Sequence, residues 1–246
     1  MLIEEITLII PHQDQANQID LLFQSMASWD VLPQEIIVVD SSSKKFSCSD
    51  NFSIFCQHRN IQLELIHKKS IFPGHARNLG IQAAKNDLLA FLDVSTIPNK
   101  AWLNDAYKQF LDLKPLAIQG VTRYEASSMK EQIIIASTFG FKSLQTLPGS
   151  LIHKKAFLQC GLFIENVRAG EDGDWMHRAK LHQIPFIDST QYIKYVGLSG
   201  ITYREIIRKW YRNYKFTHHL PFFQKHKDIY FYTSAIFLII LARNWN

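Results

Sequence analysis

Three short runs constrain this chain more than any other feature: Ile6 to Ile10 (ITLII), Glu35 to Asp40 (EIIVVD) and Leu88 to Asp93 (LLAFLD). Each is almost continuously apolar and ends at a proline or a carboxylate. Runs this short, without polar alternation, fit strands covered on both faces, as in a parallel sheet. Between the first two, Asn17 is placed to cap a helix whose Ile19, Leu22, Phe23 and Met26 recur at helical spacing. Strand, helix and strand in that order predict a βαβ unit. The pattern repeats with a strand-like Leu63 to His67 and a helix-like Ala76 to Lys85 before the third run. Ligands of open α/β sheets bind beyond the carboxyl ends of the strands, so Asp40 and Asp93 stand where chemistry is expected.

Further along, Trp102, Ala106, Tyr107 and Phe110 predict a helix after Pro98, and Ala117 to Gly120 a strand. Ser127 to Phe141 fits neither period. Gly149 to Ile152 reads as a strand, and His153 to Gln159 as a short helix stopped by Gly161. Thr202 and Glu205 form a capping box opening a helix through about Phe216. Ile206, Ile207, Trp210 and Tyr214 are expected on its apolar side, with Arg204, Arg208, Arg212 and Lys215 as a basic stripe. Ile229 to Ala242 is an apolar run of about fourteen residues, short of the roughly twenty that span a bilayer. Two readings stand for it. It is a helix closing the core, or an interfacial helix that joins Trp210, Tyr211, Phe222 and Phe223 and the nearby cations on an anionic lipid surface.

A chain of 246 residues, 47% of them hydrophobic, can bury a large core. Its formal charge of +5 suits phosphates or lipid headgroups, and without basic clustering in the N-terminal half nucleic acid is not an expected partner. Cys48, Cys56 and Cys160 form no CxxC pair and no disulfide framework. The acidic N-terminus has no secretory character. A cytoplasmic setting is therefore expected, with a peripheral place on the inner face of the cell membrane if the tail is interfacial.

The densest stretch for chemistry is Pro73 to Leu103, PGHARNLGIQAAKNDLLAFLDVSTIPNKAWL, where a glycine turn, an Arg-Asn pair, a helix, a strand and a carboxylate follow in tight order. Arg77 at a helix start suits a diphosphate, or else a surface ion pair. Asp40 can accept hydrogen bonds from a base or ribose, or cap the SSSKK loop. Glu171-Asp172-Gly173-Asp174 can supply a general base, or a helix N-terminus that favours negative charge. No GxSxG elbow, HExxH, Walker loop or GxGxxG competes with these.

Together with IIP near the start, EIIVVD, and GEDGDW at Gly170 to Trp175, this stretch strongly resembles the family 2 glycosyltransferases of the GT-A fold, over roughly residues 6 to 200. The resemblance implies an α/β, Rossmann-like, mostly parallel sheet flanked by helices. It implies a transferase domain over 1–200 and a basic, aromatic helical extension over 201–246. Donor-site residues would be Pro11, Asp14, Asp40, Arg77, Asp93 and Ser95, with Gln13 and Asp14 replacing the family's usual aromatic-Asn pair. Asp93-Val94-Ser95 takes the place of a DxD motif that binds a divalent cation, magnesium or manganese, with Asp93 as the metal ligand. Because Ser95 is no acid and Tyr192 to Gly200 offers no histidine, three options stay open: weak metal binding, a water held by Ser95, or Arg77 alone. His177 is a substitute ligand or a structural residue.

Asp172 would be the catalytic base, implying inversion, with Glu171 and Asp174 orienting the acceptor or its loop. The expected function is transfer of a sugar from a nucleotide-sugar donor to a glycan or lipid-linked hydroxyl in cell-surface polysaccharide assembly. The rivals are a non-catalytic sugar-binding relative and a nucleotidyltransferase, which normally carries a glycine-rich basic loop that Pro11 to Asn17 lacks.

Overall fold

The computed structural model describes residues 2–138, 140, 142–198 and 200–221. Phe222, Phe223 and the apolar run from Ile229 to Ala242 lie outside the described residues. Eight strands form one sheet: β1 (Leu2–His12), β2 (Leu32–Asp40), β3 (Gln62–His67), β4 (Leu88–Phe91), β5 (Thr96–Pro98), β6 (Ala117–Tyr124), β7 (Leu144–His153) and β8 (Phe186–Tyr195), in the order β3-β2-β1-β4-β7-β6-β8-β5. The first four of that order run parallel. Strand β7 is antiparallel to both β4 and β6, β8 is parallel to β6, and β5 closes the edge antiparallel to β8.

Among the described residues eight helices accompany the sheet: α1 (Ala16–Met26), α2 (Asp50–His58), α3 (Pro73–Ala83), α4 (Trp102–Leu113), α5 (Met129–Thr138), α6 (Lys154–Cys160), α7 (Glu171–Leu181) and α8 (Tyr203–Thr217). The apolar runs are continuous because each strand feeds two cores. Leu8, Ile10, Ile36, Val38 and Ala90 join Leu22, Phe23, Phe52 and Trp102 from α1, α2 and α4 on one face. Ile9, Ile37, Val39, Leu89 and Phe91 join Ala76, Phe157 and Trp175 from α3, α6 and α7 on the other. Alternate side chains of a strand point to opposite faces, so a strand between two layers of helices has no side left for polar residues. The α/β class and the mostly parallel sheet flanked by helices thus stand as expected.

Several local expectations are corrected. Helix α1 starts at Ala16 after Gln15, with no side-chain cap, so Asn17 lies inside its first turn and caps nothing. Within the ambiguous stretch Met129–Thr138 form helix α5, preceded by Ser127, whose N–H and hydroxyl both donate to the Glu131 carboxylate at 2.6 and 2.7 Å. The Thr202 and Glu205 capping box is present. The expected apolar side of α8 is not buried: Ile206 is inside, but Ile207, Trp210 and Tyr214 are exposed.

Two close approaches fix the elements that carry the site. A Cβ on Gly74 would come within 2.0 Å of the Ile164 carbonyl oxygen, so only glycine lets the start of α3 meet that loop. Gly170 has φ +88°, and a Cβ there would lie 2.6 Å from Thr217 Cγ2 and 3.0 Å from Leu220 Cδ1. The C-terminal end of α8 therefore rests on the residue that opens α7. Phe216 also packs edge-on against Phe72, with ring centroids 5.8 Å apart.

Candidate active site

The carboxyl ends of the parallel strands open into a cleft of about 640 Å3, lined from β1 (Pro11, His12), the turn after β4 (Asp93, Val94, Ser95), the start of α7 (Glu171, Asp172) and α8 (Lys209, Arg212, Asn213). At one end the strand register sets His12 opposite Asp40 and Asp40 opposite His67. Both imidazoles bond the same carboxylate through Nδ1, at 2.9 Å from His12 and 2.8 Å from His67. The Gln15 N–H donates to His12 Nε2 at 3.3 Å, which assigns the His12 proton to Nδ1. Asp40 also accepts from the N–H groups of Ser42 and Phe46, at 3.0 and 2.8 Å. Burial by itself raises its pKa, but the bonds from Ser42, Phe46 and His12 outweigh that and hold it well below the usual carboxylate range. Asp40 is thus 3% exposed and sits behind His12 and Ser41, which face the cleft.

At the centre, Arg77 is almost wholly buried. Its Nη2 donates to Asp93 Oδ1 at 2.8 Å and its Nη1 to Glu171 Oε1. Burial opposes its charge, but Asp93, Glu171 and then Asp172 keep the guanidinium protonated at any accessible pH. Burial raises the Glu171 pKa, with Arg77 opposing and Asp172 adding to the rise. Among the described residues Glu171 Oε2 is buried without a hydrogen-bond partner. The next residue of the motif, Asn78, grips the loop before α7, donating to the Phe163 carbonyl at 2.9 Å and Glu165 Oε1 at 2.8 Å and accepting the Phe163 N–H at 3.0 Å. The Arg-Asn pair therefore joins α3 to the turn after β4 and to the start of α7.

Asp172 lies in the first turn of α7, partly exposed on the cleft, with the Gly173 N–H donating to Oδ1 at 2.8 Å. Asp174 points elsewhere: it is buried, pairs with Arg178 Nε at 2.8 Å, and does not line the cleft. Arg178 in turn donates to the Cys160 and Leu162 carbonyls, so this pair locks α7 to the end of α6. His177 and Asp14 also lie off the cleft; Asp14 is exposed at φ 52°, its N–H donating to Ser42 Oγ at 2.8 Å.

The cleft is also lined by a basic and aromatic set, Arg168, Lys209, Arg212, Tyr124 and Tyr195. Lys209 Nζ donates to the Tyr195 hydroxyl at 3.1 Å and lies 5.4 Å from the centre of its ring. Tyr195 packs against Tyr124 at 5.0 Å. Burial, then Tyr195, Asp93 and Asp172, push the Tyr124 phenol far above its usual range. A second hollow of about 690 Å3 beside the cleft shares Gly197, Lys209 and Arg212 with it and adds Arg208 and Glu205. The sequence singled out Arg212 only as part of a stripe, and did not single out His12, Arg168, Tyr124, Tyr195 or Lys209. For His12, Tyr124 and Tyr195 the available signal was their place at strand ends; Arg168 carried none.

The residues present do not fit a DxD-type cation site. Asp93 Oδ1 is held by Arg77, Ser95 contributes no carboxylate, and among the described residues no three His, Cys, Asp or Glu are grouped to hold a metal ion. Among the described residues no helix is long and apolar enough to cross a membrane.

The model for Glycosyl transferase family 2 matches residues 7–161. The chain is 27% identical over 223 residues to the pre-mycofactocin glycosyltransferase of Mycobacterium tuberculosis, covering 84% of this chain and 44% of that protein. It is 29% identical over 209 residues to a Rickettsia felis protein named an uncharacterized glycosyltransferase, covering 80% of this chain and 34% of that one. It therefore spans less than half the length of these curated relatives. Among solved structures, S. aureus TarS 1-349 in complex with UDP-GlcNAc superposes with a TM-score of 0.56 at 18% identity, over 80% of this chain and 62% of that one. The mannosyltransferase PcManGT from Pyrobaculum calidifontis, in complex with GDP-Man and Mn2+, gives a TM-score of 0.59 at 16% identity, over 85% and 61%.

Proposed function

The chain belongs to glycosyl transferase family 2, and on that premise we propose that it transfers a sugar, with inversion, from a nucleotide-sugar donor to an acceptor hydroxyl. The observation that carries the proposal is the placement of a partly exposed Asp172 at a helix N-terminus on the cleft, beside a buried Arg77 tied to Asp93 and Glu171. The acceptor oxygen attacks the anomeric carbon from the side opposite the diphosphate and gives its proton to Asp172. The bond from that carbon to the diphosphate oxygen breaks, and its electron pair leaves with the diphosphate.

Pro11, His12 and Ser41 form the nucleoside end, with Asp40 fixing His12 from behind. Asp93 and Ser95 lie toward the diphosphate, and Arg77 and Glu171 keep the carboxylates in place. We divide the chain into a transferase domain over 1–200 and an extension over 201–246. The acceptor is a glycan or a lipid-linked hydroxyl in cell-surface polysaccharide assembly. A membrane-held acceptor is supported by the exposed Trp210 and Tyr211 beside the cations of α8, an arrangement suited to a lipid interface. A nucleotide-sugar donor is supported by the UDP-GlcNAc and GDP-Man bound in the two structural relatives.

The test is transfer and hydrolysis from a panel of nucleotide sugars, with glycan and lipid-linked acceptors, by the wild type and Asp172→Asn. The variant is expected to lose roughly 10²–10⁴-fold in transfer rate while binding donor as before. Transfer by the variant at the wild-type rate removes Asp172 as the base. No turnover by the wild type with any donor favours the non-catalytic reading that the loss of acid at Ser95 raises.

A further inference from the structure

Resting on the reading of the cleft as a nucleotide-sugar site, we propose that Arg168, Lys209 and Arg212 form a cation cradle that takes up the charge of the leaving diphosphate in place of a divalent metal ion. As the bond to the anomeric carbon breaks, the diphosphate gains a negative charge, which some group in the cleft must offset. The carboxylate side of the cleft is not arranged to bring in a metal for this. Asp93 is spent on Arg77, and its neighbour two residues on is Ser95.

The cations come instead from two separate segments that the fold brings together. Arg168 lies on the loop just before the Glu171 and Asp172 carboxylates, and Lys209 and Arg212 sit three apart on α8, hence on one helix face. The packing of Thr217 and Leu220 on Gly170 holds α8 against that loop. Lys209 is aimed by its bond to Tyr195. None of the ion pairs among the described residues includes Arg168 or Arg212. Partial burial, then the nearby Arg212 charge, lower the pKa of Arg168, with Glu171 opposing. Two guanidinium groups that crowd each other on a cleft wall gain stability when an anion lies between them, and their planar forks match phosphate oxygens.

The test is calorimetric titration of inorganic pyrophosphate, UDP and GDP into the full chain in EDTA, and again with manganese. Binding is expected in EDTA and is expected to change little with manganese. Arg168→Gln and Arg212→Gln should each weaken it roughly tenfold or more, and the double variant should weaken it further. Arg208→Gln, which changes only the neighbouring hollow, should bind as the wild type does. Melting temperatures establish that the variants are folded. Absence of binding in EDTA, or a folded double variant that binds like the wild type, overturns the cradle.

The two proposals fail separately. If pyrophosphate and a nucleoside diphosphate bind in EDTA and weaken in the variants, but no sugar is ever transferred, the cradle stands and the transferase reading falls. If transfer occurs and EDTA abolishes it, the cradle falls and the transferase reading stands.

Discussion

At the scale of single residues, the site separates groups whose chemistry can be read from a motif from groups whose role depends on what they meet. The place of Asp172, Asp93 and Arg77 on the cleft was legible because each belongs to a contiguous pattern at a strand end or a helix start. What was not legible is the direction in which a side chain spends its charge. Arg77 in a helix start reads as a diphosphate ligand, but its fork is taken up by Asp93 and Glu171, carboxylates 16 and 94 residues away in sequence. Asp40 likewise reads as a nucleoside contact and is a buried acceptor for His12, His67, Ser42 and Phe46. This yields a pH prediction. Because Asp40 titrates lower in the folded chain than in the unfolded one, its contribution to stability is full above the ordinary carboxylate value, near roughly pH 4, and is lost as pH falls from there toward its folded-state value. Asp40→Asn should lower stability at pH 7 by roughly 2–3 kcal/mol, leaving the Phe46 N–H or a histidine facing an amide donor. It should also flatten the fall in urea midpoint between about pH 5 and pH 3. A variant whose acid profile parallels the wild type removes Asp40 as the group responsible.

At the scale of elements, periodicity identified those buried on a whole face or on two. Strands β1, β2 and β4, buried on both faces, and helices α1 and α4, buried along one stripe, carry their pattern in their own residues. Elements at the edge carry less. Ile133, Ile134 and Ile135 stand consecutively in α5, and only the last two are buried, so no period emerges from the sequence. Strand β8 has only Ser189 and Ile193 buried among ten residues, and is held by pairing with β6 and β5 rather than by an apolar run. Helix α8 was legible at its start, where the Thr202 and Glu205 box is local, and not on its sides, because it is buried only at Ile206, against Ile134 and Ile135 of α5, and at Thr217, over Gly170. Gly170→Ala tests that contact. With φ +88° and Thr217 Cγ2 only 2.6 Å from the new Cβ, the substitution should cost roughly 1–3 kcal/mol and push α8 outward. The expected signature is faster amide exchange in α8 with weaker pyrophosphate binding, while exchange in β1, β2 and β4 is unchanged. Unaltered exchange in α8 would mean that the helix does not depend on this contact.

At the scale of the whole molecule, the cleft is assembled from the two ends of the described chain. His12 ends the first strand and Gln15 follows it, and Lys209 and Arg212 lie on the last described helix; no run of sequence joins them, and only the sheet brings them to one cavity. That is why the sequence could suggest a fold and a base but not a basic wall, and why the stripe on α8 reads in isolation as a lipid-facing surface. On the placement proposed for a nucleoside diphosphate, with its base at one end of the cleft and its phosphates at the other, the ligand ties both ends together. A ligand that binds only the native state stabilises it by mass action, and most where its contacts hold otherwise weakly anchored segments. Saturating UDP or GDP, whichever binds, should therefore slow amide exchange both at residues 11–15 and along α8, with little change in α2 and α4 on the far side of the sheet. In the Arg168→Gln and Arg212→Gln double variant, at a ligand concentration raised to restore saturation, protection should persist at 11–15 and fade in α8. Protection confined to 11–15 in the wild type would place the phosphates away from α8, and protection spread evenly over the sheet would mean that the ligand stabilises the fold as a whole rather than closing its two ends on itself.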